Sequence, residues 1–326
     1  MNSPLIRLLA VLLAGVLLAA GCSGDDDDTD ANESDDGDSR IIEHQFGETK
    51  IEGSPERIVS LGYTDADPLL ALGVEPIAIR PGYGVEGVGP WAQEALGDAE
   101  PTVIDGEEIN VEKVATLKPD LIVAINTQVD QATYDQLSKI APTVVRPEGA
   151  IDYGVSWEVT TTMIGDAIGK PDEAKEIIEQ TKVAINDTLR AHPGIDGTTG
   201  EIVRANPEGG WFAYTPVDAR GQFMLELGIN PPPKLAKQDD GSSFWVDVSA
   251  ERTDDLEADV LVAIHEKGQR KLFENSKLFQ DLSVSQRGGV VMVAAEPLGQ
   301  ALSYTSVLSI PFALEKLAPQ IADALA

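Results

Sequence analysis

NVEKVATLKPDLIVAI, residues 110–125, aligns without gaps to SAERTDDLEADVLVAI, residues 249–264. Six of the sixteen positions are identical: Glu112/Glu251, Leu117/Leu256, Asp120/Asp259, Val123/Val262, Ala124/Ala263 and Ile125/Ile264. Lys113 and Arg252 keep a positive charge, and Asn110 and Ser249 are both good helix N-caps. A short helical segment followed by a buried apolar run thus occurs twice, which predicts two structurally equivalent lobes.

Working outward, RIVSL (57–61), PIAI (76–79), PTVI (101–104), DLIVAI (120–125) and TVV (143–145) read as short buried strands. A second set follows with EIVRA (201–205), DVLVAI (259–264) and VVMVA (290–294). Helical segments separate them, beginning with TDADPLLALG, a capped helix ending at Gly73, and closing with a helix over roughly 304–325. Such alternation predicts mainly parallel α/β sheets. Between the two sets, PDEAKEIIEQTKVAINDTLRA (171–191) opens on Pro171, carries Asp172 and Glu173 in its first turn and stops before Pro193. Ile177, Thr181, Ile185 and Leu189 share one face. A helix of that length spans roughly 30 Å, enough to cross from one lobe to the other.

The chain has 326 residues and a formal net charge of -31. That length suits two lobes. That acidity argues against nucleic acid, whose phosphates it would repel. A single cysteine, Cys22, excludes an internal disulfide and a four-cysteine zinc site. LLAVLLAGVLLAA (8–20) is an unbroken apolar run behind Arg7, short for a membrane span and suited to a signal-peptide core. The stretch up to Cys22 resembles a bacterial lipoprotein signal, although Ala19 stands where leucine is usual. That resemblance implies cleavage before Cys22, lipidation (palmitate) of this new N-terminal cysteine, and export to the outer face of the cytoplasmic membrane. From Asp25 to Asp38 there are nine acidic residues and no apolar residue larger than Ala31, the composition of an extended, disordered tether. The expected organisation is a signal peptide (1–21), a tether (22–40), an N-terminal lobe (41–153), a connector (154–195) and a C-terminal lobe (196–326).

PERIVSLGYTDADPLLALGVEPIAI (55–79), GPWAQEALGDAEPTVID (89–105) and NVEKVATLKPDLIVAINTQVDQATYDQLSKIAPTV (110–144) resemble the substrate-binding lipoproteins of ABC importers for iron-siderophores. The likeness runs through nearly the whole chain after Arg40 and is looser over 201–245. It implies a class III periplasmic binding protein fold, two Rossmann-like lobes joined by one long helix. It implies capture of a ferric-siderophore between the lobes without catalysis, by a monomer with no bound cofactor. It also implies delivery to an ABC permease dimer with its ATPase subunits. In that family a glutamate on each lobe pairs with permease arginines, and the matching residues are Glu112 and Glu251.

Ligands of open α/β sheets lie beyond the carboxyl ends of the strands. Tyr63 follows the first strand, Arg80 and Tyr83 the second, with Trp91 close behind. Asn126 follows DLIVAI, and its repeat-mate His265 follows the matching strand. Arg146 ends TVV, and Arg204 lies in EIVRA. Trp211, Tyr214 and Trp245 come from less regular stretches. Arginine at three strand ends suits the oxygen acceptors and frequent negative charge of ferric-siderophores, and aromatic walls suit a bulky chelate.

Other chemistries fit less well. GYGVEG (82–87) matches the dinucleotide pattern, but Gly89 and Pro90 stop the helix that should receive the pyrophosphate. NESDDGDSRIIE (32–43) partly matches a calcium loop, with Asn32 and Ser34 in place of carboxylates. His44, His192 and His265 are too scattered for a free-metal site. Haem, held through His265 or a cleft tyrosine, is the alternative ligand, with cobalamin beside it. No GxSxG elbow points to a hydrolase.

Overall fold

The computed structural model describes residues 39–82, 84–106 and 108–326. The expected signal peptide, Cys22, nearly all of the expected acidic tether and Tyr83 lie outside the described residues. The first strand starts inside the span expected to be tether. Ser39 and Arg40 already belong to β1 (Ser39–His44), which pairs antiparallel with β2 (Gly47–Glu52). Arg40 fixes this start by donating hydrogen bonds to the carbonyls of Gly53 and Ala167.

Every strand read from the sequence is present. β3 (Ile58–Ser60), β4 (Ala78–Ile79), β5 (Thr102–Val103), β6 (Leu121–Ala124) and β7 (Thr143–Val145) form a parallel sheet in the order β5-β4-β3-β6-β7. β8 (Gly200–Ala205), β9 (Trp211–Tyr214), β10 (Trp245–Val248), β11 (Val260–His265) and β12 (Val290–Ala294) form the second, in the order β10-β9-β8-β11-β12. Here β8, β11 and β12 run parallel, and β9 and β10 add an antiparallel edge.

The repeated segments occupy matching places, β6 and β11 each standing fourth in its sheet. Their shared aspartates do the same work. Asp120 accepts the backbone N–H groups of Glu56 and Arg57, just ahead of β3, at 2.9 and 2.8 Å. Asp259 accepts the N–H and hydroxyl of Thr199, just ahead of β8, at 2.8 and 2.7 Å. Each aspartate ties the start of its sheet's central strand to the neighbour. The helical halves differ. Val111–Leu117 is an α-helix capped by Asn110, whereas Ala250–Leu256 is a 3₁₀ segment kinked at Arg252, whose guanidinium turns to Asp255.

The long helix runs Pro171–Ala191, as its caps predict. Its most buried stripe is Ala174, Ile178, Thr181 and Ile185, with Ile177 and Leu189 partly covered beside it. The final helix starts later than expected, at Ser309. A short helix, Gln300–Tyr304, ends at Thr305, which takes a left-handed φ of 41° and donates its hydroxyl to Ala219 and Leu302 carbonyls. The first helix, Ala66–Ala71, lacks the side-chain cap its sequence suggests, because Asp65 spends its carboxylate on the N–H groups of Ile125 and Asn126.

One hydrophobic cluster reaches from the second sheet through the long helix into the first half. It joins Leu70, Ile79 and Trp91 beside the first sheet, Ile178 and Ile185 of the long helix, Ile202, Val262 and Val291 of the second sheet, and Ile310, Leu314 and Leu317 of the final helix. No helix among the described residues is long and apolar enough to cross a membrane.

Candidate ligand-binding site

The carboxyl ends of the central strands and the loops after them enclose a cleft between the two sheets. Its middle is a cavity of roughly 500 Å³ lined by Tyr63, Thr64, Gly82 and Tyr153 from the first half and by Arg204, Tyr214, Asp218, Arg220, Trp245, Ser303 and Tyr304 from the second. A small recess of roughly 70 Å³ continues it downward, past Asn126, Trp157, Thr160 and Gln222, with Tyr63, Tyr153 and Tyr304 shared. A lateral space of roughly 420 Å³ continues it over Arg204 and Arg220 to Glu266, Glu296 and Gln300.

Strand position explains most of the lining. β3 delivers Tyr63, whose ring lies 5.3 Å from that of Tyr153. Arg80 leaves β4 and is buried behind Tyr63, with its Cζ 4.7 Å from the ring centre. It donates to Thr127 Oγ1 at 2.8 Å and to the Gly106 carbonyl, and so braces the tyrosine rather than lining the cavities. Asn126 forms part of the floor, donating to Thr160 Oγ1 at 2.8 Å and accepting the Val155 N–H at 3.2 Å.

On the other wall, Asp218 caps the helix Ala219–Glu226 by accepting the Arg220 N–H. The same carboxylate takes Arg220 Nε and Nη2 at 2.6 and 2.7 Å. This pairing lays the guanidinium over Tyr214, with Cζ 3.6 Å from the ring centre. Arg204 Nη2 meets Glu266 Oε1 at 2.6 Å. Trp245 opens β10 at the rim, is 43% exposed, and rests edge-on against Phe212.

Besides Arg80, four expected contacts lie elsewhere. Trp91 is buried one layer behind the cleft, donating Nε1 to Asp67 at 2.8 Å and packing edge-on against Tyr304. Trp211 is enclosed by Phe273 and Phe279 and donates to Thr253, because its place in β9 turns it into the core of the second sheet. Arg146 closes its own loop on the Ala150 carbonyl and Asp152. His265 ends β11 but lines none of the three spaces, and its Nδ1 lies 3.3 Å from the Glu266 carbonyl. Among the described residues, no group of three or more His, Cys, Asp or Glu could hold a metal ion.

The sequence reading missed Tyr153, Asp218, Arg220, Ser303 and Tyr304. Two signals were available. Asp218 is an N-cap residue followed two positions later by arginine, and Tyr153 precedes a glycine in a loop tight enough to force its φ to 63°.

A seam of polar contacts underlies the cleft. Asp67 also accepts the Ser306 hydroxyl, and the Tyr304 hydroxyl accepts the Gly82 N–H at 2.7 Å. Trp157 donates to Glu226 at 2.9 Å. Burial pushes the Asp65 and Asp67 carboxyls up to about 6, against the pull of their hydrogen bonds. Burial also raises the Glu226 carboxyl and the Tyr304 phenol. Gly82 is required by this seam, since a Cβ there would stand 2.5 Å from the Tyr304 hydroxyl. The first glycine of GYGVEG therefore answers to a tyrosine, and the α-helix after it, Gln93–Leu96, is a single turn rather than the long helix whose N-terminus would receive a pyrophosphate.

Residues 58–286 match the family described as periplasmic binding protein. The chain belongs to that family. Its members are binding proteins rather than enzymes. This periplasmic binding protein is 27% identical over 291 residues to the Fe(3+)-citrate-binding protein YfmC of Bacillus subtilis, covering 89% of each chain. It is 31% identical over 264 residues to the probable siderophore-binding lipoprotein YfiY of the same organism, covering 78% of each. Among solved structures, it resembles a periplasmic solute binding protein from Mycobacterium smegmatis with 34% identity and a TM-score of 0.78, over 88% of this chain and 99% of that one. It likewise resembles PiaA of Streptococcus pneumoniae in complex with ferrichrome, with 25% identity and a TM-score of 0.77, over 87% and 98% of the two chains. The two-lobed α/β fold expected from the sequence is the fold of these relatives.

Proposed function

We propose that this chain captures a ferric-siderophore in the cleft between its two sheets and delivers it to an ABC permease dimer with its ATPase subunits. The observation that carries the reading is the cleft itself. Its central space, roughly 500 Å³, falls in the range of small-molecule sites. Tyr63, Tyr153 and Trp245 offer apolar faces for the organic shell of a chelate, and Arg204 and Arg220, the latter stacked over Tyr214, offer N–H donors for its oxygens. The names of the relatives point the same way.

Glu112 and Glu251 are exposed at matching places in the repeated segments, and they are the docking residues of this proposal. Cys22 is its lipid anchor on the outer face of the cytoplasmic membrane, and the mass of the mature N-terminus tests that assignment.

Binding is tested by titrating intrinsic tryptophan fluorescence, to which the rim residue Trp245 contributes, against ferric chelates, their iron-free forms, haem and cobalamin. A ferric chelate is expected to quench with micromolar or tighter affinity. Saturation by haem or cobalamin, with no response to any ferric-siderophore, would overturn the proposal.

A further inference from the structure

Arginines near strand ends suggest a trap for anions, but the side chains around the cleft carry a different balance. Two guanidinium groups line it, and each faces a carboxylate. Arg220 lies against both oxygens of Asp218, and Arg204 meets Glu266. Glu296 adds a third carboxylate to the lateral space. Among the described residues lining the three spaces, no other side chain carries a formal charge at neutral pH. The lining therefore holds two positive and three negative groups. The whole chain, these groups included, carries a net charge of -31. A polyanion meets repulsion on approach and no surplus of positive charge on arrival.

Neutralised arginines remain useful. A guanidinium has more N–H donors than one carboxylate engages, so Arg204 and Arg220 keep hydrogen-bonding capacity after their charge is balanced. They are donors for a chelate whose oxygens need partners and whose total charge needs none. Iron chemistry sorts ligands on this basis. Three monoanionic hydroxamates cancel the ferric charge and give a neutral complex. Three dianionic catecholates leave a trianion, and ferric citrate retains surplus carboxylates.

Resting on the function proposed above, we infer that the cleft selects neutral or singly cationic ferric chelates of the trishydroxamate type and discriminates against polyanionic ones, with Asp218 and Glu266 as the residues that set the preference. Asp218 is the fixed element, being buried and bonded to Arg220 through both oxygens. Glu266 is the adjustable one, with its side chain 42% exposed and a single contact to Arg204.

The test titrates the purified full chain with a neutral ferric trishydroxamate, ferric citrate and a trianionic ferric tris-catecholate, at low and at high salt. The neutral chelate is expected to bind at least roughly tenfold tighter than the trianion, and added salt is expected to narrow the gap by screening repulsion. Glu266→Gln is expected to shift the affinity ratio toward the trianion by roughly tenfold, since it removes one charge from beside three. Its half-exposed position makes it compatible with folding. Tighter binding of the trianion by the unaltered chain, or an unchanged ratio in Glu266→Gln, would overturn this charge rule and leave the proposed function standing. Failure of every ferric chelate to bind would overturn that function, and this inference with it.

Discussion

The Gly82–Tyr304 contact shows how finely single residues set this cleft. The tyrosine lines its central space, accepts the Gly82 N–H, and leans edge-on against Trp91. Gly82→Ala would drive a methyl group into the phenol. It is expected to displace the ring, to cost about 1–3 kcal/mol by overpacking, and to weaken chelate binding by roughly tenfold. Denaturant unfolding and fluorescence titration measure the two effects, and a variant as stable and as tight-binding as the parent would contradict the assigned contact. At this scale the sequence was partly legible. Tyr63, Asn126 and Arg204 reach the cleft because the carboxyl ends of the parallel strands point there whatever the loops do, while Tyr214 and Trp245 reach it from the antiparallel edge, where they pair with each other. Arg80 is near it but braces Tyr63 from behind. Trp91 and Trp211 were not readable as core residues, since nothing local distinguishes an indole that stacks on a ligand from one that donates to Asp67 or Thr253. Arg220 was hidden because its role depends on a neighbour, Asp218, whose capping function looks like ordinary helix punctuation.

At the scale of elements, the two repeated aspartates make a matched pair of experiments. Asp120→Ala and Asp259→Ala each remove acceptors from N–H groups at the start of a central strand. Each is expected to cost about 1–2 kcal/mol, and the double variant about their sum, because the sites belong to different sheets. If one substitution were neutral, the structural equivalence of the two segments would fail. The parallel strands and the helix Pro171–Ala191 were legible because buried apolar runs and caps are local signals. The antiparallel edge was missed although its turn is visible. NPEGG separates EIVRA from WFAY, and Gly209 and Gly210 take φ values of 109° and 89°. The hairpin of β1 and β2 was missed for another reason. It follows the acidic run so closely that Ser39 and Arg40 read as part of the tether.

For the whole molecule, the buried carboxyls set an unusual pH response. Asp65 and Asp67 titrate at about 6 when folded, above the 3.8 of an unburied aspartate, because burial disfavours their charge. Between those values the folded chain holds protons that the unfolded chain has released. Their contribution to stability is therefore present in full below the lower value and falls as pH rises through the upper one. The raised Glu201 and Glu226 act in the same direction. Acidification from pH 7.5 to 5 is expected to raise Tm, and Asp67→Asn to reduce the gain. A Tm that falls over this range would refute the assignment. A second prediction at this scale concerns docking. Replacing both Glu112 and Glu251 by lysine is expected to abolish iron uptake by cells while chelate affinity in vitro stays within about twofold, since neither residue lines the cleft. Undiminished uptake would remove these residues from the docking surface.

The continuous core that runs through both halves bears on how such a carrier announces its load. Jaws that swing wide tell a receptor, by posture alone, whether they hold anything. Here Ile178 and Ile185 of the spanning helix share one apolar cluster with the second sheet, the final helix and Leu70, Ile79 and Trp91 of the first half, and Asp67, Tyr304 and Trp157 stitch the seam beneath the cleft. Swinging the halves apart would open that mass to water. A frame held together in this way is expected to present nearly the same silhouette full or empty. On the proposed function, a membrane partner would then have to recognise the cargo by touch, through whatever part of the chelate stands proud of the rim, and unladen copies would compete for the same berth.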